Sequence, residues 1–524
     1  MKIDAVKTLN NIKQRLHESG DLKSRTVQFF GTNIAICYIA PISDNLLLNQ
    51  SIMNPILEYP YRPEDDIWQT LKEHVLSNNE VTEFFNLDEA IEKLLQGHCL
   101  ILVDNADVML GCDIEKITVR AIAEPPTSVV IKGPREGFNE SLKYNLAMIR
   151  QRSKTDDLVV TTIDIGKITK TQVAVVYFDS LADKVNVKHI LRRLKNIDID
   201  GIVDSHYLVS YLQKSPKSLF KQVGDTEKPD VLVGKMLEGR IGILVDGSPI
   251  ALTLPFILIE DLQNSDDYYS QPIRVTFVRV LRFIGVVLAV LLPGVYVALE
   301  KYHYKILPTE FLVTIMNTTQ GIPFSPFVEL LFVVLLFEIL YEANLRMPQY
   351  FGMAMSIVGA LILGETAINA GLVSPPAVMI VALSGITFYI IPSQAAQFSI
   401  LRLLGLVIGA AVGLYGILIF CVFVISYLSS FDSYNSAYLA PTAPFIRSDQ
   451  KDLFKREIIK DMKKRPKSIS NNRENMTRRG DQWKLTIGKC QLCSLWVLLL
   501  WNFWFYQVPY IAKVQIWVGL LFLL

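Results

Sequence analysis

Three groups of residues have the type and spacing to do chemistry. The stretch "IKGPREGFNESLKYNLAMIRQR", Ile131 to Arg152, places Gly133, Pro134 and Gly137 in a tight loop, with Arg135 as a cation and Asn139 positioned to cap a following helix. Helix N-termini receive anions readily, so the pattern resembles a phosphate cradle. Glu338, Glu342 and Arg346 recur every fourth residue and share one helix face. In apolar surroundings such a set is an ion network, a gate or a subunit contact. Ser356, Ala360, Gly364, Ala367 and Gly371 line one face of a further apolar segment, as helix-packing small residues do. Glu365 and Asn369 lie opposite them, and a carboxylate there should meet water, a cation or another subunit.

Catalysis finds no support. The chain has no GxxxxGK[ST], HExxH or GxSxG pattern. Its six histidines are dispersed, and Cys490 and Cys493 form a lone CxxC without the second half of a zinc site. No catalytic residue, metal or cofactor is expected. The net charge of +1 gives no basic field for nucleic acid.

The positioning elements fall into two kinds. Residues 1–275 carry charges throughout and alternate strand-like with helix-like runs, whereas charge nearly vanishes from Arg282 to Leu428. A soluble α/β region followed by an α-helical polytopic membrane region is therefore expected. The soluble half contains a repeat. Glu89–Leu110 aligns without gaps on Val231–Leu252, with Gly97 on Gly239, Leu102-Val103-Asp104 on Leu244-Val245-Asp246, and Asn105 on Gly247. Ala35–Asp44 similarly matches Ala174–Asp183. Each copy reads as helix, glycine stop, strand, two-residue turn and returning strand. The loop Arg135–Phe138 (Arg135, Glu136, Gly137, Phe138) then sits at the junction of two tandem, similar units.

Membrane spans are expected at Leu281–Leu299, Phe327–Leu345, Met353–Val373, Ala377–Pro392 and Leu403–Leu428, with residues 306–326 interfacial or re-entrant. Gly405, Gly409, Gly413 and Gly416 in the last span point to close helix packing. Arg274, Arg279 and Arg282 before the first span, the basic tail Arg447–Arg479, and a polar N-terminus without an apolar leader put both ends on the cytoplasmic side. That requires an even number of crossings, against five candidates. The scattered cysteines fit reduced thiols.

The stretches "GPREGFNESLKYNLAMIRQR", "EGRIGILVDGSPIALTLP", "DDYYSQPIRVTFVRVLRF", "LPGVYVALEKYHYKILP", "IPFSPFVELL", "FEILYEANLRMP" and "SIVGALILGETAINAGLVSPP" resemble, in order from about residue 30 to 465, the A subunits of spore nutrient-germinant receptors, the GerA family. The resemblance implies a multi-pass protein of the spore inner membrane that works with a transporter-like B subunit and a lipoprotein C subunit. It also implies a homo-oligomer forming a nutrient-gated ion channel. On this reading Ser356, Ala360, Gly364, Glu365 and Asn369 line the pore or a subunit interface. Pro323, Pro326, Glu338, Glu342 and Arg346 belong to gating or an ion network. An ion-coupled transporter and a structural scaffold for the partner subunits are the alternatives. No inverted repeat among the spans favours transport.

The expected organisation is a polar helical segment (1–29), two α/β units (30–152 and 153–270), a helical membrane region (271–430), a basic cytoplasmic tail (431–480) and an apolar tail (481–524). Two features depart from the family pattern: Glu365, where glutamine is usual, and the continuation beyond Met462–Pro466. Four of the chain's six tryptophans, Trp496, Trp501, Trp504 and Trp517, fall in the last 30 residues, which reads as a frameshift or a lineage-specific extension.

Overall fold

The computed structural model describes residues 2–60, 67–78, 80–116, 132–346, 362–469 and 471. Ser356, Ala360 and the rest of 353–361 in the expected span Met353–Val373, the Cys490–Cys493 pair and the tail 481–524 lie outside the described residues.

The repeat is real at every level. The first unit comprises α1 (Ala5–Arg15), β1 (Leu22–Phe29), β2 (Thr32–Ile39), short helical turns over residues 45–58 and 67–75, β3 (Val81–Phe84), α2 (Leu87–Leu94), β4 (His98–Val103) and β5 (Met109–Asp113). The second comprises α3 (Leu142–Arg152), β6 (Leu158–Ile165), β7 (Thr171–Phe178), α4 (Lys184–Lys195), α5 (Ser205–Leu212), β8 (Gly224–Thr226), α6 (Pro229–Leu237), β9 (Ile241–Val245) and β10 (Ala251–Leu254). Their antiparallel sheets are ordered β1-β2-β4-β5-β3 and β6-β7-β9-β10-β8, the same order shifted by five strands. Register repeats too: Ile36 faces Ile101 in one sheet where Val175 faces Ile243 in the other. Each sheet is covered on both faces. In the second unit, Phe138, Leu142, Leu146 and Ile149 pack with Val160, Val176 and Leu244 on one face, and Val173, Val175 and Ile243 meet α4 and α5 on the other.

Gly97 (φ 103°) and Gly239 (φ 102°) stop their helices, and Asn105 (φ 64°) and Gly247 (φ 87°) occupy the left-handed position after β4 and β9. The connection they belong to is longer than expected. Five residues, 104–108 and 246–250, separate the strands instead of a two-residue turn. The extra length has a cause: Asp104 accepts a hydrogen bond from the Ala5 amide (2.7 Å), and Asp246 accepts one from the Leu142 amide (2.9 Å). Each carboxylate therefore anchors the first turn of the helix that opens its own unit, which a two-residue turn could not reach.

The helical region contains α7 (Pro272–Tyr302), α8 (Thr309–Thr319), α9 (Pro326–Arg346), α10 (Pro375–Phe388), α11 (Ala395–Val412) and α12 (Leu414–Ser429). Residues 272–302 and 392–412 are long and apolar enough to cross a bilayer, while α10 and α12 are apolar but shorter. The expected span Leu403–Leu428 is corrected. Gly413 (φ 73°) breaks it into α11 and α12, which fold back antiparallel: Gly405 stands against Phe420 and Gly416 against Ile408. Ala377–Pro392 ends as a helix at Phe388.

The helices alternate between a near end, beside the α/β units, and a far end. Lys301, at the end of α7, donates to the Ala410 carbonyl at the end of α11 (3.0 Å). Glu329 of α9 takes hydrogen bonds from the Ser374 amide (2.5 Å) and hydroxyl (2.6 Å), which joins the starts of α9 and α10 at that far end. Both helices return to the near end, where the Tyr341 and Tyr389 rings meet at 6.2 Å. Gln394 before α11 donates to Asp261 (2.7 Å), and Phe431 after α12 packs with Phe220 and Phe256. Ala367 and Ile368 already pack at the far end with Tyr296 and Leu330.

Candidate functional site

The loop that resembles an anion cradle is closed by the protein itself. Leu142 Nα is taken by Asp246, and the Ser141 amide by Asn139 Oδ1 (2.9 Å). Ser141, not Asn139, is the cap position, and Asn139 is held in turn by Asn145 through two hydrogen bonds of 2.9 and 2.6 Å. The positive end of α3 thus already faces a carboxylate. Gly133 (φ 121°) lies under the Tyr269 ring, where a Cβ would come within 2.7 Å of its carbons. Glu136 pairs with Arg152. Phe138 is buried in the second core and its amide donates to Glu227 O (2.7 Å), while Gly137 is buried beside it and Arg135 is exposed.

Arg150, in the same stretch, carries more structure than the loop. Its side chain is 1% exposed and that of Asp21 is 2% exposed. Nε and one terminal nitrogen hold the two Asp21 oxygens at 2.7 and 3.0 Å, and further bonds go to Leu158 O (2.9 Å) and Ser19 Oγ (3.2 Å). Ser19 Oγ donates to Asp21 (2.6 Å) and accepts from the Val160 amide (3.0 Å). This fork ties the α1–β1 link of the first unit to α3 and β6 of the second. The packing of α3 on the second sheet accordingly differs from an organisation in which residues up to 152 belong to the first unit.

At the near end of α7 a second charged knot joins three parts of the chain. Arg279 Nε donates to Asp267 (3.0 Å), and its Nη1 donates to the Asp452 carboxylate (2.9 Å) and to the carbonyls of Asp452 (2.7 Å) and Leu453 (3.0 Å). Arg282 grips both Asp267 oxygens at 2.8 and 3.0 Å. Arg456 holds the Asp267, Tyr268 and Ser270 carbonyls and lies 4.9 Å from the Tyr268 ring centre. Tyr268 donates to Asp452 (2.8 Å). Burial, with that carboxylate alongside, pushes its phenol well above the usual range and keeps it a donor. Arg279 and Arg282, expected as topology markers, are thus the bolts between the second α/β unit, the first apolar helix and the C-terminal segment. "DDYYSQPIRVTFVRVLRF" held half of this signal, and Asp452, nearly two hundred residues away, held the rest.

The expected Glu338–Glu342–Arg346 network divides. Glu342 and Arg346 pair across one turn at 2.8 Å and are exposed. Glu338 instead meets Arg402 of α11 and Ser399. The Arg402 side chain is 1% exposed, reaches Ser384 Oγ (3.3 Å), and stacks 4.4 Å from the Phe388 ring centre. Pro326 opens α9, a position that needs no amide donor, and Pro323 is exposed in the preceding loop.

Glu365 lies in a π-helical turn, Ile362–Thr366, that runs into Ala367–Asn369. Ala367 and Ile368 face the bundle, whereas Glu365 and Asn369 are exposed and have no partner among the described residues. Gly364 beside them is half-buried with open space at its Cβ position. Cys37 and Cys112 are free and buried, and burial pushes both thiols up to about 12, so they act as core side chains.

A family model described as the Bacillus/Clostridium GerA spore germination protein matches residues 10–468. Spore germination protein KA of Bacillus subtilis is 34% identical over 479 residues, covering 90% of this chain and 88% of its own length. Spore germination protein B1 of the same organism is 30% identical over 476 residues, 88% of this chain and 96% of that one. The uncharacterised Bacillus subtilis membrane protein YfkQ is 33% identical over 445 residues, covering 84% of this chain and 86% of its own. A crystal structure of the N-terminal domain of the A subunit of the Bacillus megaterium germinant receptor GerK3 is 27% identical, covering 48% of this chain and 96% of that one, with a TM-score of 0.35.

Proposed function

The chain belongs to the GerA family of spore germination proteins, and from that premise we propose that it is the membrane subunit of a germinant receptor that opens an ion path when nutrient is sensed. The observation that carries this reading is the pair Glu365 and Asn369. Both are exposed on a short helical stretch whose other face packs into the apolar bundle, and a carboxylate left to lipid is expensive. Facing the same pair of another copy across a water-filled axis satisfies it, and π turns recur at working positions of helices.

In this reading the receptor is a homo-oligomer that works with a B and a C subunit in the spore inner membrane, with the α/β units on the cytoplasmic side. The start of α7 and Phe431 after α12 both lie at the near end, so in this reading both ends of the helical region lie on one side. The Asp267–Arg279–Arg282–Asp452 knot transmits movement of the second α/β unit to α7, and Glu338–Arg402 holds α9 against α11 during gating. Reconstitution in liposomes with the partner subunits, recording potassium flux with and without nutrient, tests the reading. Nutrient-dependent flux that changes with Glu365→Gln supports it. Assembly without any flux favours a scaffold.

A further inference from the structure

The start of α7 and the C-terminal segment enclose an open cleft of about 680 Å3 whose walls differ in character. One wall is apolar. Ile273 and, across the cleft, Ile458 line it and are 87% and 57% exposed, while Phe277, one turn up α7 just beyond the lining, is 69% exposed. The exposed positions continue up α7 as Leu281 and Ile284, three or four residues apart, so they form one stripe running into the bilayer-length helix. The other wall is cationic. Lys455 and Lys463 line it, are exposed, and have no acidic partner among the described residues. Arg274, exposed next to Ile273, has none either.

The remaining lining charges are largely engaged. Lys451 is turned on Glu457 at 3.2 Å, and Arg456 is buried in the knot. Asp461 is the one carboxylate without a side-chain partner there, against two unpaired lysines, so the cleft keeps a positive excess. The segment around it shares that sign: residues 447–467 contain nine Lys or Arg and four Asp or Glu.

We propose that this cleft binds one anionic phospholipid, its phosphate between Lys455 and Lys463 and an acyl chain along Ile273, Phe277, Leu281 and Ile284. Charge complementarity selects the occupant. A molecule filling both walls must carry negative charge at one end and a hydrocarbon chain at the other, at the level where α7 enters the membrane. A zwitterionic lipid brings the same phosphate but offsets it with its own ammonium beside the lysines, and inorganic phosphate matches the lysines alone. Basic side chains near an anionic lipid surface contribute about 1 kcal/mol each, roughly a fivefold change in affinity.

The test uses full-length protein in neutral detergent, titrated with phosphatidylglycerol, phosphatidylcholine and inorganic phosphate, with bound lipid counted by native mass spectrometry. Phosphatidylglycerol should be retained in preference to phosphatidylcholine and should resist displacement by inorganic phosphate. The double variant Lys455→Gln/Lys463→Gln should weaken its retention on the order of tenfold or more, with the lipid-free melting temperature unchanged because both lysines are unpaired surface groups. Equal retention of the two lipids, no effect of the double variant, displacement by phosphate, or a second copy of the chain held at this face would each overturn the proposal.

Discussion

Arg150 and Asp21 form a buried ion pair between two units of one chain, and breaking such a pair by removing one partner is costly because the other charge is stranded. Arg150→Met should destabilise the protein by about 3–5 kcal/mol. Asp21→Leu added to it should recover part of that loss, since no buried charge then lacks a partner. Thermal melts of the two variants in detergent check both statements. Lys235 gives a pH-dependent case. Burial first, then the nearby Arg240 and Lys221, push its ammonium down to about 7, while Asp261 and Asp225 oppose the shift; Glu260 lies 3.3 Å away. The unfolded chain keeps a lysine near 10.5, so between about 7 and 10.5 the unfolded state binds more protons and stability rises with pH. The penalty is fully present below about 7. Lys235→Met should therefore raise the melting temperature at pH 6, and the gain should shrink by pH 9, with Arg240 still pairing Glu260. At this scale the sequence was readable only where partners are local or repeated. Asp104 and Asp246 stood out as a matched pair, but Arg150 was one more cation in a basic stretch, because its partner lies 129 positions away.

Among elements, the duplication and its order of blocks were legible because glycine stops and strand patterns are local signals, and both survive in the register of the two sheets. The length of the β4–β5 and β9–β10 connections was not, since it is set by the reach of Asp104 and Asp246 to a distant helix. The break at Gly413 was equally hidden. Gly405, Gly409, Gly413 and Gly416 share one apolar run, and only the backbone shows that one of them is a turn. Their roles predict different sensitivities. A Cβ on Gly409 would lie 2.4 Å from the Gly294 carbonyl oxygen, backbone against backbone, so Gly409→Ala should force α7 and α11 apart and lower the yield of folded protein. Gly385→Ala, whose nearest neighbour is a Phe337 ring carbon at 3.7 Å, should be neutral or stabilise by up to about 1 kcal/mol through helix propensity. Size-exclusion profiles and melting temperatures of the two variants separate these outcomes.

Over the whole molecule, two α/β units are locked to each other by Arg150 and to the helices by Arg279, Arg282 and Asp452, so a shift of the second unit has a rigid route to α7. From sequence, Glu365 and Asn369 were assigned to a pore or subunit interface by the cost of a carboxylate in lipid; both are exposed in the structure, and the flux measurement tests that assignment. Asp452→Asn should leave the fold assembled, because the Asp267 fork remains, while weakening the coupling between nutrient addition and ion flux. The most direct test of the account is potassium flux from liposomes holding this chain with its partner subunits, measured before and after nutrient, for the native chain and for Glu365→Gln. The account predicts nutrient-triggered flux in the native chain and an altered conductance or threshold in the variant. Flux that never appears, or that is identical in the two, would contradict it.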